Sequence, residues 1–425
     1  MNPVLVEATR GGERESAHSG AVAVVDARGG VVVSLGDIDR PVFPRSAIKV
    51  LQALPLVASG AADRLGLDDE ELAVACASHG GEPRHVEVVQ RLLAKAGLDA
   101  DALECGTQWP YRETVQREMA AAGRMPSALT NNCSGKHAGF LGLACRMCEG
   151  SGSGIDLRQY VKGYVGPDHP VMREVTAAVG AATSFDLGHA ARGTDGCSIP
   201  TYAVPLRQLA LAFARVATGD GLSPEHGRAA SRLRAAVARH PFLVAGTGRF
   251  DTRVMERLGE RVFCKVGAEG VYCAALPGCG LGVAIKVDDG QARGAEVAMA
   301  AVIEALVEMP EDADRNFVAT LSDVTMKNWN GIEVGRLRAV PELRSTLGSR
   351  ASHEQKPRRV GEGSAAQPCL LSSPARPRCS TQRLSLSGPV HFDSCRGRPL
   401  SPSSTPAGTD ATGGRLGMAI VCRHT

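Results

Sequence analysis

A serine and a lysine lie three residues apart in the stretch Phe43–Lys49, as Ser46 and Lys49. Pro44 favours a helix start here. Positions i and i+3 of a helix share one face, so the hydroxyl and the amine can meet. A lysine that loses its proton can act as a base and make the serine a nucleophile. The spacing predicts hydrolase chemistry without histidine, although an exposed helix start with a solvated lysine has the same pattern.

A second serine and a second lysine lie in two other polar segments. Ser78 follows an apolar run and precedes Gly80 and Gly81, which let backbone N–H groups point into a site. Lys265 and Gly267 form a Lys-x-Gly pattern at a strand edge, where the glycine lets a ligand approach the backbone. These segments would supply a second Ser/Lys pair, while the plainer alternatives are a helix-ending turn and a solvated edge lysine.

Two glycine-rich segments carry the densest polar chemistry. Residues 131–139 place amides, a thiol, a hydroxyl, an amine and an imidazole next to one another, and residues 193–200 follow with a further acid and thiol. Asp195 could hold a substrate ammonium group, although Asp-Gly is also a turn signal. Cys133 and Cys197 could form a soft metal pair assembled by folding, and Lys136 could join them only if neutral.

The other cysteines do not indicate a disulfide protein. The chain has thirteen cysteines and no apparent secretory leader, so thiols, ligands or core residues are expected. Cys145 and Cys148 have redox spacing, but they lie on a helix-like stretch without a matching pair. We therefore predict ordinary thiols there and a cytoplasmic protein, and keep a thiol redox protein as an alternative.

Composition excludes several classes of function. The 425 residues carry a net charge of +3 and only 4% aromatic residues, which argues against nucleic-acid partners. No apolar run of about 18 residues indicates a membrane span. The expected partner is a small molecule, with no nucleic acid, membrane or organic cofactor.

The segments that must position these residues predict an α+β fold, in which helices flank an antiparallel sheet. Strand patterns come first, helical patterns fill the middle, and a hairpin around residues 277–280 returns to strands. Pro55 is expected to kink the first long helix or end it early. The predicted strands are Val4–Ala8, Ala21–Val25, Val31–Leu35, Val271–Leu276 and Leu281–Val287; the first long helix is Ala47–Ala58.

The composition changes near residue 345. Residues 349–415 are rich in Ser, Pro, Arg and Gly without an apolar period. We therefore predict a catalytic domain over 1–345 and a disordered tail over 346–425. A basic interaction arm and an aberrant terminal sequence are alternatives for the tail. Residues 149–154 are predicted to form a flexible Gly-Ser insertion.

In order along the chain, the motifs around Ser46, Ser78, residues 132–137, Asp195 and Lys265 resemble the Rhizobium-type L-asparaginase family, also called asparaginase II. The similarity covers roughly residues 3–340 and includes Asn328-Trp329-Asn330-Gly331. It implies a fold like serine β-lactamases and glutaminases. It also implies hydrolysis of L-asparagine to L-aspartate and ammonia, in a homodimer.

The resemblance also implies roles for individual residues. It pairs Ser46 with Lys49 and Ser78 with Lys265, and leaves open which serine attacks. It implies a zinc site beside the substrate and a substrate-binding set. The predicted zinc ligands are Cys133, Lys136 and Cys197, and the predicted substrate-binding residues are Asp195, His137 and Asn132.

Two alternative functions stay open. The first is another amide hydrolase on the same scaffold, such as a glutaminase or a β-lactam-acting enzyme. The second is a catalytically impaired protein that binds zinc or a partner, in which the tail replaces part of the core.

Overall fold

The computed structural model describes residues 1–152 and 154–354, and its strands lie at both ends of this range and at residues 192–205 and 263–287. The strands are β1 (Val4–Arg10), β2 (Glu13–Asp26), β3 (Val31–Leu35), β4 (Pro41–Val42), β5 (Arg192–Thr194), β6 (Pro200–Tyr202), β7 (Val204–Pro205), β8 (Phe263–Val266), β9 (Val271–Leu276), β10 (Leu281–Val287), β11 (Asp323–Lys327) and β12 (Glu333–Ala339).

Helices fill most of the middle of the chain. They are α1 (Lys49–Ala58), α2 (Ala61–Arg64), α3 (Asp69–Ala75), α4 (Pro83–Lys95), α5 (Glu113–Ala121), α6 (Ser134–Ser151), α7 (Leu157–Tyr160), α8 (Pro170–Thr183), α9 (Leu206–Thr218), α10 (Pro224–Arg239), α11 (Phe242–Ala245), α12 (Phe250–Leu258), α13 (Ala292–Leu306), α14 (Asp312–Ser322) and α15 (Pro341–Glu354).

The main sheet is antiparallel, with the strand order β11-β12-β1-β2-β10-β9-β8, and β3 pairs with β2 beside this path. The central strands β9 and β10 are apolar and almost entirely buried. Helices α9 and α13 both contact these two strands, because a strand apolar on both faces needs cover on both. The predicted α+β class, an antiparallel sheet flanked by helices, is confirmed.

The predicted strands and the hairpin around residues 277–280 are confirmed, but the expectation that Pro55 ends the first helix early is wrong. Helix α1 continues through Pro55 to Ala58. Proline removes one backbone hydrogen bond from a helix. Helix α1 is buried along most of its length and packs against α6, α8 and α10, so tertiary packing outweighs that loss.

The predicted domain boundary at residue 345 stays a prediction, and the structure describes residues 346–354 beyond it. Helix α15 extends to Glu354, and Leu347 is fully buried, so the boundary at residue 345 falls inside a helix. The rest of the predicted tail lies outside the described residues. The Gly-Ser insertion begins within α6, which continues to Ser151, and Ser153 is also outside the description. In the part of the chain that the structure covers, no helix has the length and apolar character needed to cross a membrane.

Candidate active site

Three lysines from separate elements are buried in one region. Lys49 at the start of α1 and Lys265 on β8 have no exposed surface, and Lys136 in the first turn of α6 is 2% exposed. Lys49 interacts electrostatically with both of the others. A buried amine either loses its proton or acquires a negative partner. The contacts below show that the three lysines differ in this respect.

Ser46 lies in a tight turn that a backbone hydrogen bond and an ion pair stabilise. The turn is a 3-10 helix over Arg45–Ile48, and the Ala47 N–H donates to the Pro44 carbonyl at 3.1 Å. Arg45 has a φ of +50°, a left-handed conformation that costs a non-glycine residue about 1–2 kcal/mol. Its guanidinium pairs with Asp195 Oδ1 at 2.8 Å. This ion pair stabilises the strained backbone beside Ser46.

The glycine of the Lys-x-Gly motif brings β8 against the Ser46 turn. A Cβ atom on Gly267 would lie 2.7 Å from the Pro44 carbonyl oxygen and 3.2 Å from the Ala47 nitrogen. Both neighbours are backbone atoms that cannot rotate away. A side chain at this position would therefore separate the turn from the strand that carries Lys265.

We expect Gly267→Ala to lower the unfolding free energy by about 1–3 kcal/mol, the usual cost of overpacking. Gly278→Ala is the matched control, because a Cβ at Gly278 has nothing within 4 Å. Denaturant unfolding of both variants measures the difference. Equal midpoints for the two would show that the contact between β8 and the turn is not tight.

Lys49 connects three of the polar segments. Its amine donates to the Ala77 carbonyl at 2.5 Å, to Cys133 Sγ at 3.2 Å and to the Asn132 carbonyl at 3.3 Å. Burial lowers the pKa of Lys49, while the Cys133 thiolate opposes this shift. Within the described residues, Ser46 is not among the hydrogen-bond partners of the Lys49 amine.

A close contact between Gly135 of α6 and Val74 of α3 positions the first turn of α6. A Cβ on Gly135 would lie 2.3 Å from the Val74 carbonyl oxygen, so only glycine lets α6 lie against the end of α3. That contact brings Cys133 and Lys136 next to the segment that carries Ser78.

Ser78 is buried, and its hydroxyl has no hydrogen-bond partner among the described residues. Its backbone N–H donates to the Val244 carbonyl at 2.9 Å, which fixes the main chain. The Oγ atom therefore stays uncommitted, and no hydrogen bond joins it to Lys265.

His79 supports this loop and is not placed to act as a base. Its Nδ1 accepts a hydrogen bond from the Gly81 N–H at 3.1 Å, so the neutral ring carries its proton on Nε2. That Nε2–H donates to Ser134 Oγ at 2.9 Å. Burial keeps the pKa of His79 well below its usual range. Both ring nitrogens are thus used to hold the loop.

The three predicted metal ligands lie together. The Lys136 amine donates to Cys197 Sγ at 2.9 Å, and the Cys197 thiol is hydrogen-bonded to Cys133. That hydrogen bond, with Lys136 and Lys49 nearby, keeps the pKa of Cys133 well below its usual range. Although burial opposes it, the thiolate charge raises the pKa of Lys136. The two amines and the second thiol therefore favour the thiolate form of Cys133.

This donor set suits zinc in its atom types. Two sulfurs and one nitrogen are typical of zinc sites, which use three protein ligands when a fourth position is left open. No cluster of three or more His, Cys, Asp or Glu side chains could hold a metal within residues 1–152 and 154–354. Zinc here would therefore need Lys136 as its third ligand, with its proton displaced by the metal.

The predicted substrate-binding residues have other partners in this structure. Asp195 pairs with Arg45, and its pKa is low because Lys136 and Arg45 outweigh burial. The Asn132 side chain donates to the Tyr111 hydroxyl at 2.6 Å. These contacts leave the roles of Asp195 and Asn132 in binding as predictions.

His137 retains one free ring nitrogen. Its Nδ1 contacts the Tyr164 hydroxyl at 2.6 Å, and this hydroxyl accepts from the Glu104 N–H at 3.1 Å. The hydroxyl proton therefore points to Nδ1, which places the ring proton on Nε2. In the described structure this buried Nε2 has no partner, so it is an available donor.

Lys265 is the buried lysine without a thiolate contact. Its amine donates to the Val266 carbonyl at 2.9 Å and lies 3.9 Å from Asp251 Oδ2. Burial lowers the pKa of Lys265 to about 7, and the Asp251 carboxylate only partly opposes this. At neutral pH a substantial fraction of this amine is therefore unprotonated and able to accept a proton.

Sequence reasoning missed Arg45 and Asp251. Arg45 directly precedes Ser46, but only the fold shows its partner 150 residues away. Asp251 lies shortly after Gly246-Thr247-Gly248-Arg249, at the start of an amphipathic helix. This pattern also fits an ordinary acid in the first turn of a helix. The flanking glycines were the one available signal for Asp251.

Cys145 and Cys148 lie on α6, as the helical pattern predicted, and neither forms a disulfide. Cys145 is partly buried, and burial raises its pKa, which makes the thiol less reactive. The redox alternative gains no support from this environment.

Comparisons with known proteins agree with the motifs. Residues 6–339 match the family described as L-asparaginase II. No curated protein matches the chain. Among solved structures, a β-lactamase from Mycobacterium bovis is 17% identical, covering 67% of this chain and 93% of its own at a TM-score of 0.32. A protein called Mglu is also 17% identical, covering 69% and 68% at a TM-score of 0.31. At these TM-scores neither likeness supports an argument about this chain.

Proposed function

The chain belongs to the L-asparaginase II family, and on this premise we propose that it hydrolyses L-asparagine to L-aspartate and ammonia by Ser/Lys catalysis. The family supports an amidohydrolase acting on asparagine in a broad sense. The finer proposal concerns the exact substrate and the residues that perform the reaction.

The observation that most supports a Ser/Lys reaction is the buried amine of Lys265, whose pKa lies at about 7. The strand that carries it packs against the Ser46 turn through Gly267. A general base works best with a pKa near the working pH. The two histidines beside the site, His79 and His137, each have a ring nitrogen engaged and depressed pKa values.

In the proposed reaction, the hydroxyl of Ser46 or Ser78 attacks the side-chain carbonyl carbon of asparagine. Neutral Lys49 or Lys265 takes the hydroxyl proton as the oxygen–carbon bond forms. The tetrahedral intermediate then breaks its carbon–nitrogen bond, and the lysine returns the proton to the leaving nitrogen, which departs as ammonia. Water attacks the resulting ester, the lysine transfers a proton from water to the serine oxygen, and L-aspartate is released.

Zinc is proposed as the metal at the neighbouring cluster. Cys133, Lys136 and Cys197 would hold it, and a bound zinc ion would supply a Lewis acid that polarises an adjacent oxygen. No step of the proposed reaction requires zinc. We expect the protein to bind zinc and the Cys133→Ser variant to lose this binding.

We propose that the ion pair of Asp195 and Arg45, beside the Ser46 turn, takes part in substrate recognition. Asp195 can accept the α-ammonium group of the substrate while it remains close to Arg45. Asn132 and the free Nε2–H of His137 are further polar groups of the expected substrate-binding set. A charged α-amino acid would thus be preferred over a plain carboxamide.

An ammonia-release assay with purified full-length protein tests the proposal. We expect initial rates with L-asparagine to exceed those with L-glutamine by at least about tenfold, since one methylene displaces the amide from the reacting groups. A higher rate with glutamine would favour a glutaminase. Hydrolysis of a chromogenic β-lactam alone would favour a β-lactam-acting enzyme. Stoichiometric zinc without turnover of any amide would favour the impaired binding protein.

Two further proposals concern assembly, which rests on the family resemblance, and location, which rests on the cysteine usage. We propose a homodimer and a cytoplasmic location. Light scattering of the purified protein tests the first, and fractionation of the source cells tests the second.

A further inference from the structure

A buried carboxyl group lies directly behind Lys265. Asp251 is the second residue of α12 and is 1% exposed. Its Oδ2 accepts the Val266 N–H at 3.2 Å and lies 3.9 Å from the Lys265 amine. Its Oδ1 is buried and has no partner among the described residues. A buried acid with an unused oxygen costs folding free energy, so its presence requires an explanation.

We propose that Asp251 is a positioning residue that controls whether Lys265 carries a proton, an inference that rests on the Ser/Lys reaction proposed above. At 3.9 Å the carboxylate is close enough to stabilise the ammonium form. It is too far for the hydrogen bond that would commit the amine to it. Lys265 can therefore take a proton between the steps of the reaction and release it again.

A purely structural acid of this chain is paired differently. Asp314 is also buried, but its two oxygens pair with Arg257 and Arg261 at 2.6 Å each. That arrangement satisfies the carboxylate fully and fixes its charge. Asp251 has one backbone hydrogen bond, one longer contact to a lysine and an oxygen without a partner, so it holds the Lys265 ammonium less firmly than Asp314 holds its arginines. The comparison points to a functional use of Asp251.

Other titratable groups surround Asp251 and Lys265 and affect the protonation of both. Burial and the charge of Asp251 raise the pKa of Glu296, on α13, to about 7. Two nearby acids cannot both ionise freely, so the charge of Asp251 keeps a proton on Glu296. The titratable groups that interact with Lys265 are Asp251, Lys49, His79, Arg249, Cys76, Cys133, Cys264 and Cys273. Those that interact with Asp251 or Glu296 are Lys265, Arg249, Arg253 and Cys264.

The first test is the pH dependence of kcat/KM for asparagine. Asp251→Asn keeps the side-chain volume and can still accept the Val266 N–H. It removes the charge that stabilises protonated Lys265, so the acid limb should move to lower pH by at least about one unit. Glu296→Gln mimics the protonated side chain that the charge of Asp251 favours, so it should move the limb much less than Asp251→Asn does. Asp314→Asn is the control and should lower stability without moving the limb.

A second measurement does not depend on turnover. The chain has eight lysines, so ¹³C-lysine labelling gives few Cε resonances, and the Lys265 signal is the one absent in Lys265→Met. Its titration midpoint should fall in Asp251→Asn and change much less in Glu296→Gln. An unchanged midpoint in folded Asp251→Asn would overturn the inference, even if wild-type protein hydrolyses asparagine. If the midpoint shifts in Asp251→Asn but the wild-type protein releases no ammonia, the coupling is supported. Only the proposed reaction is then overturned.

Discussion

Alanine in place of Ser46 or Ser78 is expected to lower kcat for asparagine by about 10³-fold or more in at least one of the two variants. Loss of a nucleophile removes the covalent route, and only binding and electrostatic stabilisation remain. Ser78 offers a buried hydroxyl that no other described residue engages. Ser46 offers a hydroxyl beside a strained backbone. Steady-state ammonia release at saturating asparagine measures the loss.

Mass spectrometry of acid-quenched protein identifies the attacking serine. The acyl-enzyme adduct should disappear in one variant, while the other variant should lose rate and keep the adduct. Ser34→Ala, at an exposed position of β3, is the control for the purification and should behave as wild type. Turnover within about threefold of wild type in both site variants would exclude serine as the nucleophile.

The parts of the fold that sequence predicted are those set by local patterns. Strands β9 and β10 are short apolar runs on either side of Pro277-Gly278-Cys279-Gly280, and the structure pairs them in that register. Helices α9 and α10 begin and end where their apolar period does. Periodicity and turn residues determine such elements locally. The continuation of helix α1 through Pro55 could not be predicted in this way, because it depends on packing against distant helices.

The site was predictable only as a set of residue types. The positions of Lys49 and Cys133 suggest chemistry, but their 3.2 Å contact depends on how α1 and α6 pack. The left-handed φ of Arg45 is also a property of the assembled fold, because the Asp195 ion pair stabilises it from 150 residues away. Motif spacing carries no information about such partners. The same holds for the Asp251 carboxyl behind Lys265.

Replacement of the buried Lys265 is expected to cause the second large loss of activity. Lys265→Met is expected to lower kcat/KM by about 10²-fold or more, the usual contribution of a general base. Methionine keeps a similar length and apolar stem but cannot accept a proton.

The wild-type kcat/KM should rise about tenfold per pH unit below pH 7 and level off above it, because only the neutral amine acts and its pKa is about 7. A pH–rate profile of both proteins measures this.

Arginine at the same position separates a base from a cation. The guanidinium stays charged at every pH where the protein is folded, so Lys265→Arg preserves a positive group while abolishing the base. If Lys265 only stabilises negative charge in the transition state, the arginine variant should retain activity and the methionine variant should not. If Lys265 is the base, both should be inactive, and the arginine variant should also unfold more easily, because a charge is then buried without water. Activity in Lys265→Arg comparable to wild type would therefore contradict the proposed role of the neutral amine and leave Lys49 as the base.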